Sequence, residues 1–180
     1  EGPDVGGPYA PYRQSERLET YRPYVDKLVE DGHAYYCWCS TERLTAMREK
    51  QQKLKLPTGY DRLCVGKTRE ERAELEGFNE TPVVRMLVPD DVELTFDDLI
   101  LGRTSAPKPD DQVILKADGF PTYHMAVVVD DHLMKISHVV RGQAASLLGA
   151  HERVELLLHG AHHLERLGVL LHQLVELTSV

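Results

Sequence analysis

The chain has 180 residues, which is long enough to bury a hydrophobic core. Its 42% hydrophobic and 28% charged residues are typical of a globular protein. The net charge of −8 argues against a general nucleic-acid coat but does not exclude a local basic surface. No apolar run approaches the roughly 18 residues of a membrane span, so we expect no membrane association. The opening residues do not resemble a signal peptide, and without an initiator methionine we expect a piece of a longer protein.

The first third of the chain predicts a loop, two helices and a strand. Residues 1–12 are rich in Gly and Pro, and a helical pattern then runs to Asp31-Gly32. Aromatic residues at 34–39 favour a strand. Ser40 or Thr41 caps a helix over residues 42–52. The capping box at residues 68–71 predicts a further short helix, which Gly77 ends.

The next segment predicts strands over residues 81–89, 92–100 and 112–116, the third reached through a Pro-rich turn at 106–111. Residues 34–116 would thus form a small α+β unit. Pro121 in a first turn, with Thr122 as its cap, favours a helix over residues 123–134. A buried strand over 136–140 would follow and place Arg141 at its carboxyl end, where open α/β sheets bind ligands.

Three cysteines cannot all pair as disulfides. Cys37 and Cys39 are separated by one residue, a spacing that suits metal ligands better than a disulfide. We therefore expect a reducing, cytoplasmic compartment.

Several blocks resemble bacterial-type glutamyl-tRNA synthetases, in the same order along the chain. They are residues 6–17 (GGPYAPYRQSER), residues 59–61 (GYD) followed by Cys64, residues 116–124 and 128–132, and residues 138–142 (HVVRG). The resemblance implies an α/β fold, in which a class I Rossmann catalytic domain is interrupted by an α+β insertion that binds the tRNA acceptor stem. Residues 1–33 would end the first Rossmann half, 34–116 form the insertion, and 117–142 return to the Rossmann domain.

The same resemblance implies a glutamate–tRNA ligase. Such an enzyme activates L-glutamate with ATP and Mg²⁺ and transfers it to the 3′ end of tRNA(Glu), and we expect the full enzyme to be a monomer. The class I His-x-Gly-His and Lys-Met-Ser-Lys-like motifs and the anticodon-binding domain are expected outside this segment, so it should be inactive alone. The alternatives are a non-catalytic acceptor-stem binding module and a zinc-ribbon-like interaction domain.

The resemblance assigns glutamate binding to Tyr123 and Arg141, with Val127 as a lining residue of the pocket. A phenol can donate to the substrate carboxylate, and a guanidinium can bind a carboxylate through two hydrogen bonds. The alternative for Arg141 is a structural ion pair with Asp130 or Asp131. We expect those two carboxylates to brace the fold rather than to act as an acid–base pair, and His124 and His132 to be structural.

A zinc site is implied at Cys37, Cys39 and Cys64, because 24 residues separate Cys39 from Cys64, as in some members of the family. The family's fourth position falls on Gly66, which has no ligand atom. Tyr60 or His33 are possible substitutes without sequence support, and a metal-free site is the alternative.

Two features of the sequence each allow two interpretations. A basic run in the insertion either binds acceptor-stem phosphates in part or is a solvated face; it consists of Arg43, Arg48, Lys50, Lys53 and Lys55. After Gly142 the family pattern stops, and residues 143–180 are rich in Leu and His. This tail is either a shifted reading frame or a divergent helical segment.

Overall fold

The computed structural model describes residues 1–91, 94–99, 102–106 and 108–138. Within these ranges no helix is long and apolar enough to cross a membrane. After a 3-10 turn at Gln14–Glu16, the elements in chain order are α1 (Leu18–Glu30), β1 (Ala34–Cys39), α2 (Thr41–Lys53), α3 (Arg69–Ala73), β2 (Phe78–Met86), β3 (Leu94–Asp98), β4 (Gly102–Ala106), β5 (Val113–Leu115) and α4 (Tyr123–Leu133).

The central sheet has three antiparallel strands in the order β1-β2-β5. Tyr35 pairs with Arg85 across β1 and β2, and Val84 pairs with Leu115 across β2 and β5. A register shift between Cys37 and Cys39 bends β1 towards its end. Strands β3 and β4 form a separate two-stranded hairpin.

The two faces of this sheet bury different kinds of side chain, because successive side chains of a strand point to opposite faces. Ala34 of β1 and Val84 and Met86 of β2 lie in the main hydrophobic core. Cys37 and Cys39 belong to a second buried cluster, against which Val83 packs. The sheet therefore separates an apolar core from a cysteine cluster.

Helices α1 and α4 cover the apolar face of the sheet. The spacing of Tyr21, Val25 and Leu28 places them on one stripe of α1, and all three are fully buried. Met125 and Val129 of α4 are buried in the same core. Burial of an aliphatic or Met side chain contributes about 1.5–3 kcal/mol, so this core fixes α4 against the sheet.

A part-buried ion pair also joins the start of α1 to α4. The Arg17 Nε donates to the Asp130 Oδ1 at 2.7 Å, and the Tyr21 hydroxyl donates to the Asp130 Oδ2 at 2.9 Å. Arg17 also donates to the backbone oxygen of Pro11 at 3.0 Å, which ties the N-terminal loop to the same point. The predicted bracing role of Asp130 is therefore confirmed.

Because of the Tyr21–Asp130 hydrogen bond, we expect the free energy of unfolding to fall at alkaline pH. Burial and the hydrogen bond to Asp130 raise the pKa of Tyr21 to about 12, above the usual value of about 10. The folded state thus favours the neutral phenol, and this stabilisation is complete below pH 10 and is lost as the pH rises towards 12. Urea unfolding of the wild type and Tyr21→Phe should show a steeper alkaline loss in the wild type. The matched variant Tyr24→Phe should keep the wild-type slope, and an unchanged slope in Tyr21→Phe would contradict the assignment.

Helices α1, α2 and α4 are confirmed to within a few residues of their predicted bounds. The strand predicted over 92–100 is confirmed as β3 over Leu94–Asp98, but its partner β4 was not predicted. The apolar residue Leu99, which the prediction placed inside a strand, is 85% exposed at the hairpin turn. Gly102 follows with a φ of 74°, a conformation that favours glycine. The predicted turn at 106–111 therefore begins where β4 ends.

Other predicted boundaries also shift. Helix α3 ends at Ala73, before Gly77, and the next strand begins at Phe78. Pro121 is not in the first turn of α4, because it forms a bridge with Leu115 and precedes the cap residue Thr122. Residues 136–138 are irregular, and residues 139–140 of the predicted strand lie outside the described residues. The tail over 143–180 also lies outside them.

Candidate metal centre and substrate site

The three cysteines converge on one buried point. Their Sγ atoms all lie within 4.8 Å of one another, and the Cys39 and Cys64 Sγ atoms are 3.6 Å apart. All three thiols are free and buried. In a tetrahedral zinc site with Zn–S bonds of about 2.3 Å, neighbouring sulfur atoms are about 3.8 Å apart. The cluster thus has the size of a zinc–thiolate site before any rearrangement.

Tyr60 places a fourth donor atom in this cluster. Its hydroxyl oxygen is 3.3 Å from the Cys37 Sγ and 3.2 Å from the Cys39 Sγ. Gly66, the position expected from the family pattern, is exposed. His33, the other candidate, does not belong to the cysteine cluster, in which Cys37, Cys39 and Cys64 are the grouped metal-ligating residues of the described part of the chain. Of the two possible substitutes, only Tyr60 is brought to the cysteines.

Local hydrogen bonds hold Tyr60 in this position. The Gln51 side chain of α2 binds both backbone polar groups of Gly59, at 2.9 and 3.2 Å. The Tyr60 backbone N–H donates to the Asp110 Oδ2 at 2.8 Å. The Cys64 backbone N–H donates to the Tyr60 hydroxyl oxygen at 3.2 Å, four residues along the chain. These contacts were not evident from the sequence, because Gln51 and Asp110 lie 8 and 50 positions from their partners.

The hydrogen bonds of the cluster favour a negative charge on Cys37 over one on Cys64 or Tyr60. Hydrogen bonds from Cys39 and Cys64 lower the pKa of Cys37, and the bonds to Cys37 and Cys39 raise the pKa of Cys64. Burial, followed by hydrogen bonds with the cysteines, raises the pKa of Tyr60. Ionisation at Cys37 therefore opposes ionisation of its neighbours. A divalent cation would remove this conflict, because thiolates are the form that binds zinc.

The structure divides the basic run of the insertion into two parts. Arg43 turns inwards, where it pairs with Asp61 and lies 3.5 Å from the Cys39 Sγ. The other four side chains are exposed. None of the ion pairs among residues 1–91, 94–99, 102–106 and 108–138 involves them. They form the α2 tip: Arg48, Lys50, Lys53 and Lys55.

The residues expected to bind glutamate lie on α4. Tyr123 is 53% exposed at the first position of the helix. Val127 is half-buried one turn later, on the same face. The opposite face packs into the core through Met125 and Val129. Arg141 lies outside the described residues, so its distance from Tyr123 stays a prediction.

Residues 3–146 match the family described as tRNA synthetases class I (E and Q), catalytic domain. The chain belongs to this family. The α/β class and the glutamyl-tRNA synthetase resemblance are therefore confirmed. A glutamate–tRNA ligase of Acidothermus cellulolyticus is 78% identical over 143 residues, which cover 79% of this chain and 28% of that protein. The corresponding ligase of Cutibacterium acnes is 70% identical over 144 residues, which cover 79% of this chain and 29% of that protein.

Solved structures of the same family agree with this assignment. A glutamate–tRNA ligase from Elizabethkingia meningosepticum, in complex with its amino acid, is 31% identical with a TM-score of 0.78. The alignment covers 98% of this chain and 34% of that chain. The glutamate–tRNA synthetase of Elizabethkingia anophelis gives a TM-score of 0.77 at the same identity. The chain thus spans about a third or less of the length of the relatives it matches.

Proposed function

We propose that the chain is a segment of a glutamate–tRNA ligase. The enzyme would activate L-glutamate with ATP and Mg²⁺ and transfer the glutamyl group to the 3′ end of tRNA(Glu). The observation that carries this proposal is the 78% identity over 143 residues to a ligase of that name. A monomeric state and a cytoplasmic location belong to the same proposal, and three free thiols suit a reducing compartment.

Tyr123, Val127 and Arg141 would form one wall of the glutamate pocket. Tyr123 would donate from its hydroxyl to the substrate carboxylate, and Val127 would exclude water beside it. Arg141 would bind a carboxylate through two hydrogen bonds. In the alternative, Arg141 would form a structural ion pair with Asp130, which already accepts from Arg17 and Tyr21, or with Asp131.

The α2 tip would contact the acceptor stem of the tRNA. Phosphate contacts need exposed cations whose charge is not already neutralised, and the four side chains of the tip meet this condition among the described residues. Arg43 is excluded from this role because it pairs with Asp61. The basic run would therefore act through the end of α2 rather than through its first turn.

Zn²⁺ would be a structural ion in the insertion, held by Cys37, Cys39 and Cys64 with Tyr60 as the fourth donor. Such a closed tetrahedral site cross-links the segments that supply its ligands and leaves no open position for substrate. Here it would join the end of β1 to the loop over residues 59–64, which lies against α2 through Gln51.

A chimaera tests the proposed activity and the role of Tyr123 together. Residues 1–142 of this chain would replace the matching segment of the Acidothermus cellulolyticus ligase, and glutamylation of tRNA(Glu) would be measured. We expect the chimaera to charge the tRNA. Tyr123→Phe removes one hydrogen bond to a charged carboxylate, which is worth about 1.5–3 kcal/mol. The KM for glutamate should therefore rise roughly 10–100-fold, with a smaller change in kcat.

Tyr24→Phe is the matched control, because Tyr24 packs against the core and contacts the edge of the His132 ring on α4. Its KM for glutamate should equal that of the parent chimaera. A folded chimaera that fails to charge tRNA(Glu) would contradict the proposed function. An active chimaera in which Tyr123→Phe leaves KM unchanged would contradict only the role of Tyr123.

A further inference from the structure

Two arginines are buried beside the cysteine cluster without an acidic partner. Arg72 of α3 is fully buried, and Arg85 of β2 is 6% exposed. In the described ranges neither of them forms an ion pair with a carboxylate. A buried charge is costly unless an opposite charge or a metal site compensates it. Some group near these side chains must therefore carry negative charge.

Arg72 contacts neutral backbone atoms and one cysteine. Its guanidinium donates to the backbone oxygens of Leu75 and Gly77, at 3.0 and 2.8 Å. The Arg72 Nη2 is 3.6 Å from the Cys39 Sγ. The Nε atom is buried and has no hydrogen-bond partner among the described residues. The sulfur atom is thus the only one of these contacts able to carry a full negative charge.

Arg85 approaches the cluster from the sheet. Its guanidinium carbon lies 4.2 Å from the centroid of the Tyr60 ring, and its Nη1 donates to the backbone oxygen of Asp111 at 2.8 Å. The Asp111 carboxylate itself is bonded to Tyr35 and Arg62. The Arg85 Nε is also buried without a hydrogen-bond partner in the described part of the chain. Arg85 therefore faces the Tyr60 side of the cluster without a carboxylate partner among the described ion pairs.

The proposed zinc site would supply negative charge beside these two arginines. Three thiolates around Zn²⁺ carry a net charge of −1, and Arg43, the third nearby cation, is already paired with Asp61. We infer that Arg72 and Arg85 are positioning residues that stabilise an anionic zinc–thiolate centre. This inference rests on the proposed zinc site and names the surrounding cations that would stabilise its negative charge. It assigns no role in the aminoacylation chemistry to either arginine.

If Arg72 and Arg85 compensate the charge of the zinc site, their removal should affect the zinc-bound and zinc-free forms differently. With zinc bound, loss of either positive charge removes a favourable interaction and weakens the metal site. Without zinc, the same loss removes a poorly compensated buried charge and should leave stability unchanged or raise it. If the arginines served only to hold the backbone, their removal would destabilise both forms to the same extent.

The experiment compares Arg72→Met and Arg85→Met with the control Arg69→Met, all in the purified chain. Methionine keeps much of the apolar stem of the side chain and removes its charge. Arg69 is a matched control because it lies in the same short helix as Arg72 but pairs with Glu80 at the surface.

Zinc affinity is measured by competition with a chromophoric chelator. Urea unfolding is then measured with and without zinc. We expect zinc affinity to fall roughly 10–100-fold in the two test variants and to stay unchanged in the control.

Three results would overturn the inference while the family assignment stands. The first is a wild-type chain that takes up no zinc. The second is a zinc-loaded wild type whose affinity is unaffected by Arg72→Met and Arg85→Met. Equal destabilisation of the zinc-loaded and zinc-free forms by both variants would also contradict it. Two variants are used because Arg72 also holds the turn over residues 75–77, whereas Arg85 does not.

Discussion

Asp111→Ala is expected to lower the free energy of unfolding by about 2–5 kcal/mol. The Asp111 carboxylate is fully buried and accepts from the Tyr35 hydroxyl at 2.8 Å, from Arg62 at 2.9 Å and from the Val88 backbone N–H at 3.0 Å. Its removal leaves Tyr35 and Val88 with unpaired donors in a buried setting, each costing about 1–3 kcal/mol. Urea unfolding of the variant and the wild type measures the difference.

Asp90→Ala is the matched control, because Asp90 pairs with the same arginine. The Arg62 Nη1 donates to the Asp90 Oδ1 at 3.0 Å, but this carboxylate is 83% exposed. Solvent screens such a pair, so its loss should leave the unfolding curve close to that of the wild type. If the two variants were equally destabilised, the stabilisation would come from the charge of Arg62 rather than from the buried acceptor.

Zinc is expected to raise the thermal unfolding temperature of the chain, because an ion that binds only the folded state stabilises it. At a free zinc concentration 1,000 times the dissociation constant, this stabilisation is about 4 kcal/mol. For a chain of this size, that corresponds to a rise in Tm of roughly 8–16 °C. A chelator should reverse the rise. The proposed site joins β1 to the loop before Cys64, so the effect should be largest in probes of that region.

Cys64→Ser should abolish most of this zinc-dependent rise, because a hydroxyl is a much poorer zinc ligand than a thiolate. Mg²⁺ at the same concentration should have no such effect, since it prefers oxygen ligands. An equal rise in Tm for Cys64→Ser and the wild type would show that zinc acts elsewhere. No rise in the wild type would contradict the zinc site itself.

Elements with strong local signals were predictable from the sequence. The apolar stripe of α1 has helical spacing, and the capping box at Thr68 forms as predicted, with the Thr68 and Glu71 side chains each bonded to the other residue's backbone N–H. The cysteine cluster followed from spacing and from the family resemblance. These features depend on residues that lie close together in the sequence, or on a pattern that the family repeats.

Features set by distant contacts were not predictable. Strand β4 was missed because the polar sequence Arg103, Thr104 and Ser105 has little apolar alternation, and its pairing with β3 defines it. Tyr60 could not be chosen over His33 without knowing that its loop folds back on β1. Arg72 lies in a short helix directly after the acidic residues Glu70 and Glu71. Its burial depends on the packing of α3 against β2, and no periodic pattern in the sequence indicates this packing.

The part-buried bond between Arg17 and Asp130 joins residues that lie 113 positions apart. A ribosome that adds about 5–20 residues per second needs on the order of ten seconds to make the intervening chain. Throughout this interval α1 lacks its partner helix, and the apolar side chains of Tyr21, Val25 and Leu28 cannot reach their final burial. The apolar stripe of α1 therefore stays incompletely buried until α4 has left the exit tunnel.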